Sequence, residues 1–136
     1  MILLDTNVVS ASMRRHPDLE VVAWLDRQPA SRLYLAAIVV DEITYGIELL
    51  PDGRRKQRLR KAFQGIVEGF AGRVVAFDQA AALASARFRA ARRGMGMPMS
   101  LADAQIAGTA ERNGFQLATL DVDDFQGIDL EIVVPG

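Results

Sequence analysis

The chain has 136 residues, half of them hydrophobic and 24% charged, and a formal net charge of −1. That balance fits one folded domain, residues 1–136, with a core of its own, and argues against disorder. With no cysteine, disulfides and thiolate metal sites are excluded. No apolar run approaches the roughly 20 residues that span a bilayer, and the N-terminus lacks the basic lead-in and apolar core of a secretion signal, so a cytoplasmic protein without a membrane partner is expected.

A short strand is expected at Ile2–Leu4, ending on Asp5, Thr6 and Asn7, with a helix from there to about Met13 that "RRHP" breaks. A second helix is expected over 18–28, with Trp24 on its apolar side, and "RLYLA" (32–36) reads as a strand. The helix in "IVVDEITYGIELL" ends before the turn Pro51-Asp52-Gly53. A basic helix over about 54–70 leads to the strand "RVVAF" (73–77), then to an Ala-rich helix that Asp78 caps. "GMGMP" connects to a helix opening at Ser100, with Asp103 at the acidic position of a capping box. The strand "FQLAT" (115–119), the acidic turn "LDVDDF" and the strand "LEIVV" (130–134) complete the chain. Alternating strands and helices without internal repeats predict a three-layer α/β/α fold around a mostly parallel sheet. Sites in such sheets lie beyond the carboxyl ends of the strands, where Asp5 and the acids Asp121, Asp123 and Asp124 fall.

Charge is unevenly divided. Residues 54–93 hold 11 of the 16 Lys and Arg but only two acids, whereas the remainder carries five bases and 15 acids. One segment is suited to a polyanion and the rest to cations. At about 100° per residue, Asp41, Thr44 and Glu48 form the polar side of their helix, while Glu42 falls inside its apolar arc. Asp103 is likewise flanked by Ile106, Ala107 and Ala110, although the helix dipole by itself favours an acid in a first turn.

Asp5, Glu42, Asp103, Asp121 and Asp124 form a carboxylate set without an imidazole or thiolate among them. Such a set suits Mg²⁺ or Mn²⁺, which acidifies water and neutralises charge on a phosphodiester. A haloacid dehalogenase-type phosphatase needs an acid where Asn7 stands. A response-regulator receiver needs a late strand-end lysine, and no Lys follows residue 61. No Lys-Ser/Thr phosphate loop is present either.

"ILLDTNVVS", "LYLAAIVVDEITYGIELLPDGRRK", "MSLADAQIAGTAERNGFQLAT" and "DVDDF" resemble, in order and spacing, the PIN-domain ribonucleases, and more narrowly the VapC/FitB-type toxins of bacterial toxin–antitoxin pairs. The resemblance runs from residue 2 to about 134. It implies a metal-dependent endoribonuclease that cuts RNA, forms a homodimer or a higher assembly, and is inhibited by a small DNA-binding antitoxin. Alternatives within the fold are an RNA-processing nuclease without an antitoxin, or a regulatory nucleic-acid binder without catalysis.

Carried over, the family's first three acids fall on Asp5, Glu42 and Asp103; the fourth falls within "ATLDVDDF", where Asp124 matches the acid of the family's "DF" and Asp121, directly after the strand, is favoured as the nearer ligand. Asp5, Asp103 and Asp121 are expected as metal ligands, with Glu42 and Asp124 secondary. Asp121 stands where relatives often have Asn, and Leu120 replaces an Arg. Thr6, Asn7 and Thr119 are expected to support Asp5 or metal-bound water, with helix capping an equal explanation for the first two. Arg87, Arg89, Arg92 and Arg93 are weak candidates for RNA contact, and Trp24 and Tyr45 for core or interface.

Overall fold

A computed structural model describes all 136 residues. The chain order is β1 (Ile2–Leu4), α1 (Thr6–Met13), α2 (Leu19–Arg27), β2 (Leu33–Ala36), α3 (Ala37–Glu48), α4 (Arg54–Gly69), β3 (Val74–Val75), α5 (Gln79–Gly94), α6 (Leu101–Asn113), β4 (Gln116–Ala118) and β5 (Ile132–Val133). Short 3₁₀ turns at Ala30–Arg32 and Val122–Phe125 precede β2 and follow β4.

The strands form one sheet in the order β3-β2-β1-β4-β5, and every pairing is parallel. Helices cover both faces in a three-layer α/β/α arrangement. Every residue of β1 is therefore buried, as is usual for a central parallel strand. β1 pairs with β2 on one side, in register Leu4 to Leu35, and with β4 on the other, Leu4 to Ala118. The chain thus leaves β1 toward one edge and later returns to its opposite flank. The carboxyl end of β1 is the topological switch point of the sheet.

The outer strands are shorter than the runs "RVVAF" and "LEIVV" suggest: β3 and β5 pair over two residues each. Each has one neighbour only, and a short edge offers little backbone for pairing with another chain. The core includes Leu3, Leu35, Leu117, Val8, Val39, Ile106 and Phe125, all almost wholly buried. Trp24 belongs to it, but Tyr45 and Leu49 are mostly exposed, so the buried stripe of α3 is narrower than its apolar arc.

α5 and α6 pack most closely of any helix pair. Their buried residues are mostly small, with Ala81, Ala84 and Ser85 on α5 and Ala104, Ala107 and Gly108 on α6, and Gly108 lies against Ala81 and Ser85. A Cβ on Gly108 would stand 2.4 Å from the Ala81 carbonyl oxygen, so only glycine permits this approach. Asp78 caps α5 by accepting from the Ala81 N–H, and Ser100 caps α6 by accepting from the Asp103 N–H, both as their sequence patterns predict. Gly114, in the left-handed region at φ 67°, ends α6 and turns the chain into β4. No helix is long and apolar enough to cross a membrane.

Candidate functional site: a carboxylate cluster beside a basic cleft

Asp5 follows β1 directly, at the switch point, and is 4% exposed. It caps α1, its Oδ1 accepting from the Thr6 N–H at 2.8 Å, while Oδ2 accepts from the Thr119 hydroxyl at 2.8 Å. Capping and a place in the cluster are therefore both true of this residue. Burial pushes its carboxyl up to about 6, against the pull of the Thr119 and Thr6 bonds, and the charges of Asp103 and Glu42 add to the rise.

Glu42 is half-buried on α3, and its Oε1 accepts from the Thr6 hydroxyl at 2.6 Å. Asp103, half-buried in the first turn of α6, is also raised. Desolvation is the main cause, the Ser100 hydroxyl opposes it, and the charges of Asp124, Glu42 and Asp121 reinforce it. Asp121 and Asp124 are exposed on the turn beyond β4. Asp121 Oδ2 accepts from the Asn7 amide at 2.6 Å, and Asn7 Oδ1 in turn accepts from the Leu120 N–H at 3.2 Å. Asp123 is exposed and makes no side-chain hydrogen bond.

Five acids, from two helices and the ends of two strands, thus share one electrostatic neighbourhood at the carboxyl edge of the sheet. The three polar residues beside them divide the work differently from expectation. Thr119 supports Asp5, whereas the side chains of Thr6 and Asn7 reach Glu42 and Asp121. Thr119 also accepts from the Asp121 N–H at 3.1 Å, so one buried hydroxyl joins the two strand ends. No three acids are drawn together tightly enough to grip a metal ion unaided. Like charges repel, and Asp5, Glu42 and Asp121 have each turned to a local donor. The donor chemistry still fits a hard divalent cation: all oxygen, several negative charges, two members destabilised as anions.

Thr6 and Glu42 also form one wall of a cleft of about 1030 Å³. Its floor is apolar, with Met13, Ile43, Ile47, Leu50 and Leu59, and its rim carries Arg14, Arg15, Arg54, Arg55 and Arg58. None of these arginines is paired. The three ion pairs in the molecule are Lys56–Asp52, Arg60–Glu48 and Arg112–Asp78. Arg54 and Arg55 moreover occupy the first turn of α4, where the helix dipole disfavours cations. Sequence reading treats Arg14 and Arg15 only as the end of α1. Their doubling just after the helix that Asp5 begins was the available signal.

The arginines singled out on α5 do not join this rim. Arg87, Arg89 and Arg93 are exposed elsewhere on that helix and do not line the cleft. Arg92 is a correction: it is 5% exposed and its guanidinium is bonded to backbone carbonyls, which removes it from any RNA-binding surface.

A family model described as "PIN domain" matches residues 2–130. Among curated proteins, the chain is 41% identical to the plasmid stability protein StbB of Pseudomonas syringae pv. tomato, covering 99% of this chain and 98% of StbB. It is 38% identical to the VapC ribonuclease Y4jK of Sinorhizobium fredii, over 99% and 97%. It is 39% identical to the toxin FitB of Neisseria gonorrhoeae, over 99% and 98%. A solved structure of FitAB bound to an IR36 DNA fragment matches with a TM-score of 0.91 at 39% identity, covering 99% of this chain and 95% of that one.

Proposed function

Because the chain belongs to the PIN domain family, we propose that it is a VapC/FitB-type toxin: a single-domain Mg²⁺- or Mn²⁺-dependent endoribonuclease of the cytoplasm. The observation that carries this reading is the meeting of Asp5, Glu42 and Asp103 from β1, α3 and α6 at the switch point, with Asp121 and Asp124 beside them. Relatives named as a ribonuclease and a toxin support the same reading.

Asp5, Asp103 and Asp121 would hold the cation, with Glu42 and Asp124 outside them. When bound, the cation supplies Lewis acidity, acidifying water and offsetting charge that grows on the phosphodiester. The chain's own residues orient these groups. Thr119 holds one Asp5 oxygen and the Asp121 backbone at a fixed separation. Thr6 holds Glu42, whose free oxygen is left to accept a proton from water near the scissile phosphate. Asn7 holds Asp121 and keeps the loop after β4 against α1.

The unpaired arginines of the cleft take the backbone phosphates of an RNA strand on one side of the cut. The cleft has no aromatic lining to stack bases, so its grip is on phosphate and weakly dependent on sequence. A small DNA-binding antitoxin is the proposed partner, since FitAB has been solved on DNA, and a homodimer is the proposed assembly.

Purified protein should cut RNA with Mn²⁺ or Mg²⁺ and stop in chelator, and Asp5→Asn or Asp103→Asn should abolish the cut. Expressed in bacteria, the wild type should arrest growth and these variants should not. Equal toxicity from the variants would sink the assignment. Cleavage without arrest, in a chain with no adjacent antitoxin gene, would favour an RNA-processing nuclease.

A further inference from the structure

Arg92 lies in the last turn of α5, where a cation is favourable to the helix dipole. That effect explains an arginine at the surface, not one that is 5% exposed. The guanidinium has no carboxylate partner. Its Nε donates to the Met97 carbonyl at 2.6 Å, and one terminal nitrogen donates to the Asp124 carbonyl at 2.7 Å. Burying an unpaired charge is costly, so this fork is retained against a substantial desolvation penalty.

What the fork joins is specific. Met97 lies in the connection that runs into Ser100, the cap of α6, three residues before Asp103. Asp124 lies in the Val122–Phe125 turn, which Asp121 opens and the buried Phe125 anchors. Arg92 therefore ties together the two segments that carry Asp103 and the pair Asp121 and Asp124. Asp103, Asp121 and Asp124 are like charges, which repel one another across that gap. By binding main-chain carbonyls, the guanidinium opposes the repulsion and leaves the carboxylate oxygens free.

We propose that Arg92 is a positioning residue of the carboxylate site: its bonds to the Met97 and Asp124 carbonyls keep the start of α6 and the turn after β4 beside each other, so that a divalent cation can draw their acids together. This rests on the reading that these acids bind such a cation. The planar fork is essential, because one ammonium on a flexible stem cannot keep both donors in place.

The test uses the full-length protein and Mn²⁺ alone, with affinity read from the electron paramagnetic resonance of free Mn²⁺ well below each variant's melting temperature. Arg92→Lys, which keeps the charge, and Arg92→Met, which removes it, should each weaken Mn²⁺ binding at least tenfold. Phe63→Leu, a core change on α4, should lower the melting temperature and leave Mn²⁺ affinity within twofold. Without metal, Arg92→Lys should speed hydrogen exchange at the Asp124 and Gln126 amides and leave Leu117 and Thr119 unchanged. Wild-type affinity in both Arg92 variants, or an equal loss in Phe63→Leu, overturns the assignment alone. A wild-type protein that binds no Mn²⁺ overturns the metal reading and this assignment with it.

Discussion

Asp5 is a carboxylate held where its ionised form is disfavoured, so protonating it favours the folded state. Its carboxyl titrates at about 6 in the folded chain against 3.8 as the ordinary value. The folded state therefore binds a proton more tightly than the unfolded state. The stabilisation is complete below about 4 and is lost as pH rises through about 6. A shift of that size corresponds to about 3 kcal/mol. Metal-free denaturation in chelator from pH 4 to 8 should show stability falling across that window. Asp5→Asn should flatten the fall and gain on the order of 1–3 kcal/mol at pH 7 while losing RNA cleavage. A parallel slope in the variant would show that Asp5 is not the titrating group. Thr119→Val removes the hydroxyl donor to Asp5 and the acceptor of the Asp121 N–H at a fully buried position. It should cost about 1–3 kcal/mol and raise the Asp5 titration further, read by carboxyl-carbon NMR.

At the scale of elements, the site depends on how closely helices approach. Gly108 lets α6 sit against α5, and α6 delivers Asp103 from its first turn. Gly108→Ala gains up to about 1 kcal/mol of helix propensity, but the added methyl meets backbone at 2.4 Å. The helices must then separate, at a cost of about 1–3 kcal/mol or more. The net effect should be a lower melting temperature together with weaker Mn²⁺ binding. Gly46 is the internal control: on α3 a Cβ there meets nothing within 4 Å. Gly46→Ala should stabilise the protein by roughly 0.5–1 kcal/mol in thermal melts. If both substitutions had the same sign, the packing account of α5 and α6 would fail.

For the whole molecule, the uneven charge of the sequence resolves into a spatial arrangement. Acids gather at the switch point, and unpaired arginines from two distant stretches line the adjoining cleft. Arg54 and Arg55 work against the dipole of α4. Replacing both with Glu should therefore raise thermal stability, by about 0.3–1 kcal/mol each. The same change should weaken RNA binding and lower the slope of log K against log salt by about 0.7 for each phosphate that is no longer neutralised. Fluorescence anisotropy with a labelled RNA in a salt series measures this. An unchanged slope would remove the cleft from the substrate path.

The sequence alone determined what is local. Capping by Asp78 and Ser100 and the inward position of Glu42 depend on residues within about one helical turn, and β1 with Asp5 at its end on a few residues of apolar run. The acid set and the α/β class were legible for the same reason, because periodicity and motif spacing are carried along the chain. Only the tertiary structure decided which donor serves which acid. Asn7 and Asp121 stand 114 residues apart, as do Thr119 and Asp5. Their bonds exist because β1 is inserted between β2 and β4, which no local pattern encodes. Arg92 read as one of four surface bases, and its burial follows from the close approach of α5, α6 and the turn after β4. Arg14 and Arg58 likewise meet across one cleft because α1 packs against α4. Side-chain chemistry is written residue by residue, whereas which residues become neighbours is set by the order in which the strands pair.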